Sequence, residues 1–416
     1  MSQSASSTPT KRILILSALD IWSMRGNAGA PSLFRTLTAL SNRYTLTFIT
    51  GHAQTPSGQD EKLNGVRVIR FGIPWLQSMF EPHHAFSNIG KIVFPIWWLI
   101  FQLWAYRLVS REIRRSDFDA LYAYEILAVP VMARLARRHH IPFIVRFQGT
   151  VLAPLLSKPL SRVTHFHHYC AFRTRADMII MTNDGTQGDR VLRSLRNTSP
   201  RQFFWMNGVD RYPDSPPSDI TALKKRLGIS ERDIFILAIS RLKRWKRIDR
   251  CIEAIMRLDD PRVHLAIIGD GPERASLEAF ARRGCASPRI HIHFVGSMPH
   301  DALGAYYQAA DIFISCYSLS NVGNPLLEAM RMTKPILTLD NGGTAQVITH
   351  EKTGLLAPEG DPAALCAMLK RLVNDAPLRR QLGEAAQIYA DTHFDTWHQR
   401  MDREYAAITE LLNQRP

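Results

Sequence analysis

Two segments of the 416-residue chain bring together side chains suited to phosphate and hydroxyl groups. The first, Ser240-Arg241-Leu242-Lys243-Arg244-Trp245-Lys246-Arg247, follows the apolar run Ile234–Ala238. Arg241 and Lys246 flank the point where a strand gives way to a helix, and there a guanidinium fork and an ammonium point charge can meet one diphosphate. The same run also fits a nucleic-acid stripe, and Lys243, Arg244 and Arg247 fit a solvated surface equally well. Its place at the carboxyl end of a strand favours an inward-facing cation pair. In the second segment, Ser320-Asn321-Val322-Gly323-Asn324-Pro325-Leu326-Leu327-Glu328, a Gly/Pro loop feeds a helix. Free amides from Asn321 to Leu326 suit an anion, and Glu328 suits the two hydroxyls of a ribose. The helix dipole alone explains a Glu at this place, though not the loop before it.

Two weaker constellations accompany them. Gly269-Asp270-Gly271-Pro272 follows an apolar run and is good turn chemistry in its own right; a part in shaping a nucleotide pocket is the functional alternative. Arg25-Gly26-Asn27-Ala28-Gly29-Ala30-Pro31-Ser32, between a strand and a helix, lets backbone amides approach an anion through Gly26, Asn27 and Gly29, or simply makes a tight turn. Asp117-Phe118-Asp119 reads as a loop, so no metal site is expected. The five cysteines are odd in number and lack a Cys-x-x-Cys pair, which points to neither a disulfide framework nor zinc.

The elements that position these residues alternate short β-rich runs with helical periodicity, the pattern of parallel sheets wrapped by helices. Strands are expected at Arg12–Leu16, Thr45–Ile49, Val66–Phe71, Ala120–Ala123, Phe143–Phe147 and Met178–Met181, then at Ile234–Ala238, His264–Ile268, Ile290–Phe294, Ile312–Ser315 and Ile336–Thr338. Helices are expected at Ser32–Leu40 and Val129–Arg138. The aperiodic Gly/Pro/Asp stretch 206–219 separates two α/β domains. The expected division is a polar tail, 1–10; a first Rossmann-like domain, 11–206; a second, 207–390; and a terminal amphipathic helix, 391–416, packing back on the first. Ligands of such folds bind at the carboxyl ends of the strands, here in a cleft between the two domains.

Charge is uneven: of the net +15, the first 206 residues carry +14 and the remainder +1. An anionic partner of the first half is therefore expected. Ile92–Val109 (IVFPIWWLIFQLWAYRLV) approaches the length of a membrane span, but Pro95, Gln102 and Arg107 weaken that reading. A buried helix is expected, with a membrane-contacting helix as the alternative. The polar N-terminus suggests no export signal, and a cytoplasmic protein is expected.

In sequence order, Ser-Arg-Leu-x3-Lys, Gly-Asp-Gly-Pro, Phe294-Val295-Gly296, Ala310-Asp311, Asn324–Met330 and Lys352-Thr353-Gly354-Leu355-Leu356 resemble glycosyltransferase family 4, whose members are retaining enzymes of the GT-B fold. The similarity spans roughly Arg12 to Trp397, densest in the second half. It implies an enzyme moving a sugar from a nucleotide-sugar to a saccharide hydroxyl, without metal or other cofactor. It also implies that Arg241 and Lys246 bind the donor diphosphate, that Glu328 contacts the donor ribose, and that Gly271 and Met298 lie near the base. Gly26, Asn27, Gly29, Ser320, Asn321, Val322, Gly323, Asn324 and Leu326 fall on the donor-binding loops. Gln148-Gly149-Thr150 falls on the acceptor side, where many relatives carry a His; a Gln cannot act as a base. The first Glu of the family's Glu-x7-Glu signature falls on Ser320, a departure at the donor sugar. With the +14 and the Trp-rich helix, the resemblance suggests a lipid-linked or cell-surface polysaccharide precursor as acceptor, and peripheral docking on the anionic inner membrane face. Nucleic acid is not an expected partner. A nucleotide-sugar epimerase of the same fold and a non-catalytic nucleotide-sugar-binding protein are the alternatives.

Overall fold

The computed structural model describes residues 11–18, 31–51, 60–71, 88–284 and 290–414. They form two α/β units. In the first, strands β1 (Arg12–Ser17), β2 (Thr45–Gly51), β3 (Asp60–Leu63), β4 (Val66–Phe71), β5 (Ala120–Tyr124), β6 (Phe143–Phe147), β7 (Met178–Thr182) and β8 (Arg201–Trp205) make an eight-stranded sheet ordered β3-β4-β2-β1-β5-β6-β7-β8. Every pairing is parallel except β3 with β4. The second unit has β9 (Ile234–Ile239), β10 (Val263–Ile268), β11 (His291–Gly296), β12 (Ile312–Ser315), β13 (Ile336–Asp340) and β14 (Leu355–Pro358), all parallel, ordered β11-β10-β9-β12-β13-β14.

Alternate residues of each central strand enter two different cores, because successive side chains leave opposite faces of a sheet. Ile13 and Ile15 of β1 pack on one side, with Phe48, Tyr122 and the C-terminal Ile408, while Leu14 and Leu16 pack on the other with Phe101 and Phe147. In β9, Phe235 and Leu237 face one core and Ile236 and Ala238 the other. Burial on both faces is why these strands read as continuous apolar runs. The strands that the hydrophobic pattern omits, β3, β8 and β14, all lie at sheet edges. An edge strand is held by main-chain pairing on one side and tolerates DEKL, RQFFW or LLAP.

In both sheets the strand order reverses beside the first strand of the unit, leaving a crevice at the carboxyl ends between β1 and β5 and between β9 and β12. The second crevice is bordered by the loops that carry Arg241 and Glu328.

The chain does not divide at one point near 206. The first unit comprises the chain through Asn183, Gly188–Trp205 and the chain from Gln399; the second comprises Asp184–Gln187 and Met206–His398. Likewise residues 391–393 do not open the terminal helix. They end the helix Ala376–His393, and a new helix runs Trp397–Asn413.

The tryptophan-rich segment forms a helix, Asn88–Arg115, and the expectation that it is buried holds for one face alone. Phe101, Ala105 and Val109 enter the core, whereas Ile96, Leu99, Leu103 and Trp104 are each about half exposed. Arg107, Arg111 and Arg114, all exposed, continue that outer stripe at helical spacing. Among the described residues no helix is long and apolar enough to cross a membrane.

Candidate functional site

The β9–β12 crevice of the second unit gathers the cations. After β9 the chain turns sharply: Lys243 N donates to Arg241 O at 2.8 Å, and Leu242 N to Asp270 O at 2.9 Å. The Gly-Asp-Gly-Pro turn lies directly against this loop. A Cβ on Gly269 (φ +128°) would fall 1.9 Å from Ser240 O, and one on Gly271 2.4 Å from Leu242 O, so these glycines set the path of the segment that bears Arg241. Arg241 is exposed. Lys246 is half-buried, its ammonium 3.6 Å from the centroid of the Tyr317 ring and 4.1 Å from that of Trp245. Desolvation and then the charge of Arg241 pull the Lys246 pKa down to about 7, while Asp184 acts in the opposite sense. Arg247 instead forms an ion pair with Asp249 at 2.8 Å, and Lys243 and Arg244 are exposed.

Glu328, on the helix Asn324–Arg331 that follows β12, is buried. The hydroxyls of Tyr212 and Tyr307 donate to its Oε2 at 3.1 and 3.0 Å, and His300 Nε2 lies 3.1 Å from Oε1. A carboxylate held by three donors keeps one orientation and retains acceptor capacity, since its two oxygens offer about four lone-pair sites.

The loop between them is tied to protein partners. Asn321, fully buried, accepts from Tyr317 N and donates through Nδ2 to Asn341 Oδ1. The amide of Asn321 donates to Thr344 Oγ1, that of Val322 to Ser320 Oγ, and those of Gly323 and Leu326 to Asn321 O and Gly323 O. These four amides are therefore not the open anion cradle that the Gly/Pro loop suggests; they fix the loop. Asn324 accepts a bond from Asn207 Nδ2.

Residues 219–389 match the family Glycosyl transferases group 1, and residues 29–195 match the Glycosyl transferase 4-like domain. The chain is a family 4-like glycosyltransferase. It is 22% identical over 340 residues to an N-acetyl-alpha-D-glucosaminyl L-malate synthase of Bacillus anthracis, covering 79% of this chain and 84% of the relative. Among solved structures it superposes on sucrose-phosphate synthase from Thermosynechococcus elongatus with a TM-score of 0.75 at 18% identity, over 97% of this chain and 99% of that one. Anabaena HepE in complex with UDP-glucose gives 0.70 at 20% identity, over 95% and 99%. Both are GT-B proteins, and the two parallel-sheet units of this glycosyltransferase are of that type.

Of the residues the sequence singles out, Arg241, Lys246, Gly271, Ser320, Asn321, Val322, Gly323, Asn324, Leu326 and Glu328 lie on loops and helix starts at the carboxyl ends of β9, β10 and β12. Met298 follows β11 and packs half-buried on the core. Gly26, Asn27 and Gly29 lie outside the described residues, as does the tail 1–10. In the first unit Gln148 follows β6: its Nε2 donates to Tyr124 Oη at 2.7 Å, its Oε1 accepts from Thr182, and its amide donates to Glu125. Gly149 has φ +118°, and Thr150 is buried with its Oγ1 accepting from Leu152 N. Of the Asp-x-Asp, Asp119 accepts from Arg12 N at 2.6 Å and pins β1.

The sequence reading missed Tyr212, Tyr307, His300 and Asp184. Tyr212 lies in the aperiodic linker and Tyr307 in an apolar helix, so neither carries a local signal. A His after a strand in the second half was the one visible clue.

Proposed function

We propose that this glycosyltransferase retains anomeric configuration, uses no metal, and moves a sugar from a nucleotide-sugar donor to a hydroxyl of a lipid-linked or cell-surface saccharide precursor. The observation that carries this reading is the grouping of Arg241, Lys246 and Glu328 around the β9–β12 crevice. When the bond from the sugar C1 to the donor phosphate breaks, negative charge collects on the leaving diphosphate. Cations fixed there beforehand stabilise it without reorganisation, in the place where a metal would otherwise serve. The acceptor oxygen bonds to C1 on the face the phosphate leaves, and its proton passes to a phosphate oxygen. Gln148, an amide bonded to Tyr124 and Thr182, needs to supply no base. That HepE was solved with UDP-glucose supports UDP-sugars as the first donors to test.

A thermal-shift screen against UDP, GDP, ADP and their common sugar conjugates tests the site, because a ligand that binds the native state raises the melting temperature. A shift with one nucleotide, abolished in Arg241→Ala and Glu328→Ala, is expected. Absence of any shift in folded protein would overturn the reading. The anomeric configuration of the product, read by NMR, tests retention.

We also propose peripheral docking on an anionic, cytoplasmic membrane face through the Asn88–Arg115 helix. Ile96, Leu99, Leu103 and Trp104 present apolar area to lipid chains, and Arg107, Arg111 and Arg114 on the same stripe suit anionic headgroups. Liposome flotation tests this reading: binding to anionic but not neutral vesicles is expected, and binding to neither sinks it.

A further inference from the structure

Residues Asp184–Gln187 follow β7 in sequence but belong to the second unit. Ser320 Oγ donates to Asp184 O at 2.8 Å and Gly343 N to Gly185 O at 2.7 Å, while a Cβ on Gly185 would lie 2.1 Å from Ser320 Oγ. The loop is thus clamped between the 319–322 turn and the 341–343 turn, with no space for a side chain at 185. Asp184 is fixed as a result. Its Oδ1 accepts from the amide and the hydroxyl of Thr186, at 3.1 and 2.5 Å. Burial raises the Asp184 pKa to about 6, against the hydrogen bonds from Thr186 and the charge of Lys246.

A nucleotide-sugar makes two unlike demands. Its diphosphate needs cations and hydrogen-bond donors, whereas the hydroxyls of its sugar need acceptors. Arg241 and Lys246 answer the first. For the second, Glu328, held by Tyr212, Tyr307 and His300, is the acceptor that the donor-site reading gives to the ribose. Asp184, held through Oδ1 by Thr186 and subject to the charge of Lys246, is a second carboxylate on these loops.

We propose that Asp184 contacts the donor sugar, its carboxylate accepting hydrogen bonds from hydroxyls of the transferred hexose while Lys246 and Arg241 hold the diphosphate. This rests on the donor-site reading above. It makes Asp184 a determinant of which sugars are accepted, separate from nucleotide recognition.

The test is calorimetric titration of full-length wild type and Asp184→Asn with UDP, GDP and ADP, and then with UDP-glucose, UDP-N-acetylglucosamine and GDP-mannose. The free nucleotide that binds wild type should bind the variant equally well or more tightly, since a negative charge near the diphosphate is gone. Its sugar conjugate should bind about ten- to hundredfold more weakly, the usual range for losing a hydrogen bond to a charged group. If Asp184→Asn lowers the melting temperature, Asp184→Glu, which keeps the charge one methylene further out, should show the same split. Parallel weakening of nucleotide and conjugate, or an unchanged conjugate, overturns the assignment and leaves the donor site standing. Failure of wild type to bind any of the nucleotides removes both.

Discussion

The hydroxyl of Ser320 donates a 2.8 Å hydrogen bond to the main-chain carbonyl of Asp184, across 136 positions of sequence. The same oxygen accepts from Val322 N at 3.1 Å. One small side chain therefore joins the loop after β7 to the loop that leads into the helix of Glu328. Gly185 packs directly against it, and a Cβ there would collide with the Ser320 hydroxyl.

Nucleotide binding should weaken as pH rises. Desolvation and Arg241 set the Lys246 pKa at about 7 in the free protein, and a bound diphosphate favours the protonated form, so binding takes up a proton above that value. Affinity is expected to fall roughly tenfold between pH 7 and 8.5. Titration calorimetry at pH 8 in two buffers of different ionisation enthalpy measures the uptake; equal enthalpies would contradict it.

Glu404 should be a determinant of stability. It is fully buried between two buried arginines, accepting from Arg146 at 2.5 Å, Arg400 at 3.0 Å and Tyr122 at 2.7 Å. Removing its charge in Glu404→Gln takes away the carboxylate that two buried cations share, which costs about 3–5 kcal/mol. Burial raises the Glu404 pKa, but Arg146 and Arg400 outweigh it, and the net direction is down from the ordinary 4.5. A depressed native pKa contributes stability that is present above the unfolded value and lost as pH falls through the native one. Urea denaturation should therefore show the wild-type midpoint dropping below about pH 4.5 and a flatter acid limb in the variant.

Two glycines with positive φ should respond differently to alanine. Gly269 meets Ser240 O at 1.9 Å from its would-be Cβ, whereas Gly360, at φ +88°, meets nothing within 4 Å. Gly360→Ala incurs backbone strain alone, about 1 kcal/mol, while Gly269→Ala adds a collision with main chain and should exceed ~3 kcal/mol. The shift in melting temperature compares them. Equal losses would show that the Gly269 contact yields.

Membrane binding should depend on both halves of the Asn88–Arg115 stripe. Reversing charge in Arg107→Glu with Arg111→Glu should lower partitioning to anionic vesicles at least ~30-fold, at about 1 kcal/mol per basic residue near the surface. Trp104→Ser should lower it through lost apolar contact. Vesicle sedimentation reads both, and unchanged partitioning in the charge-reversed protein would remove the helix as the docking element.

The central strands and the places of Arg241, Lys246 and Glu328 were legible in the sequence because each is fixed by its immediate neighbours. A strand buried on both faces must be apolar along its length, and a strand that ends in a crevice must end in a turn that carries whatever faces the ligand. The edge strands escaped because one-sided pairing leaves their composition free. The outer face of the Asn88–Arg115 helix escaped because a segment apolar on nearly every side does not reveal which side is covered.

Residue types and local spacing by themselves determined the two parallel sheets, the family and the cation pair. The tertiary structure alone decided that the Asp184 loop is tied to Ser320, that Tyr212, Tyr307 and His300 hold Glu328, and that four amides of the Gly/Pro loop are already used. Those relationships join segments far apart in the chain, through single polar contacts that impose no periodicity on the residues around them.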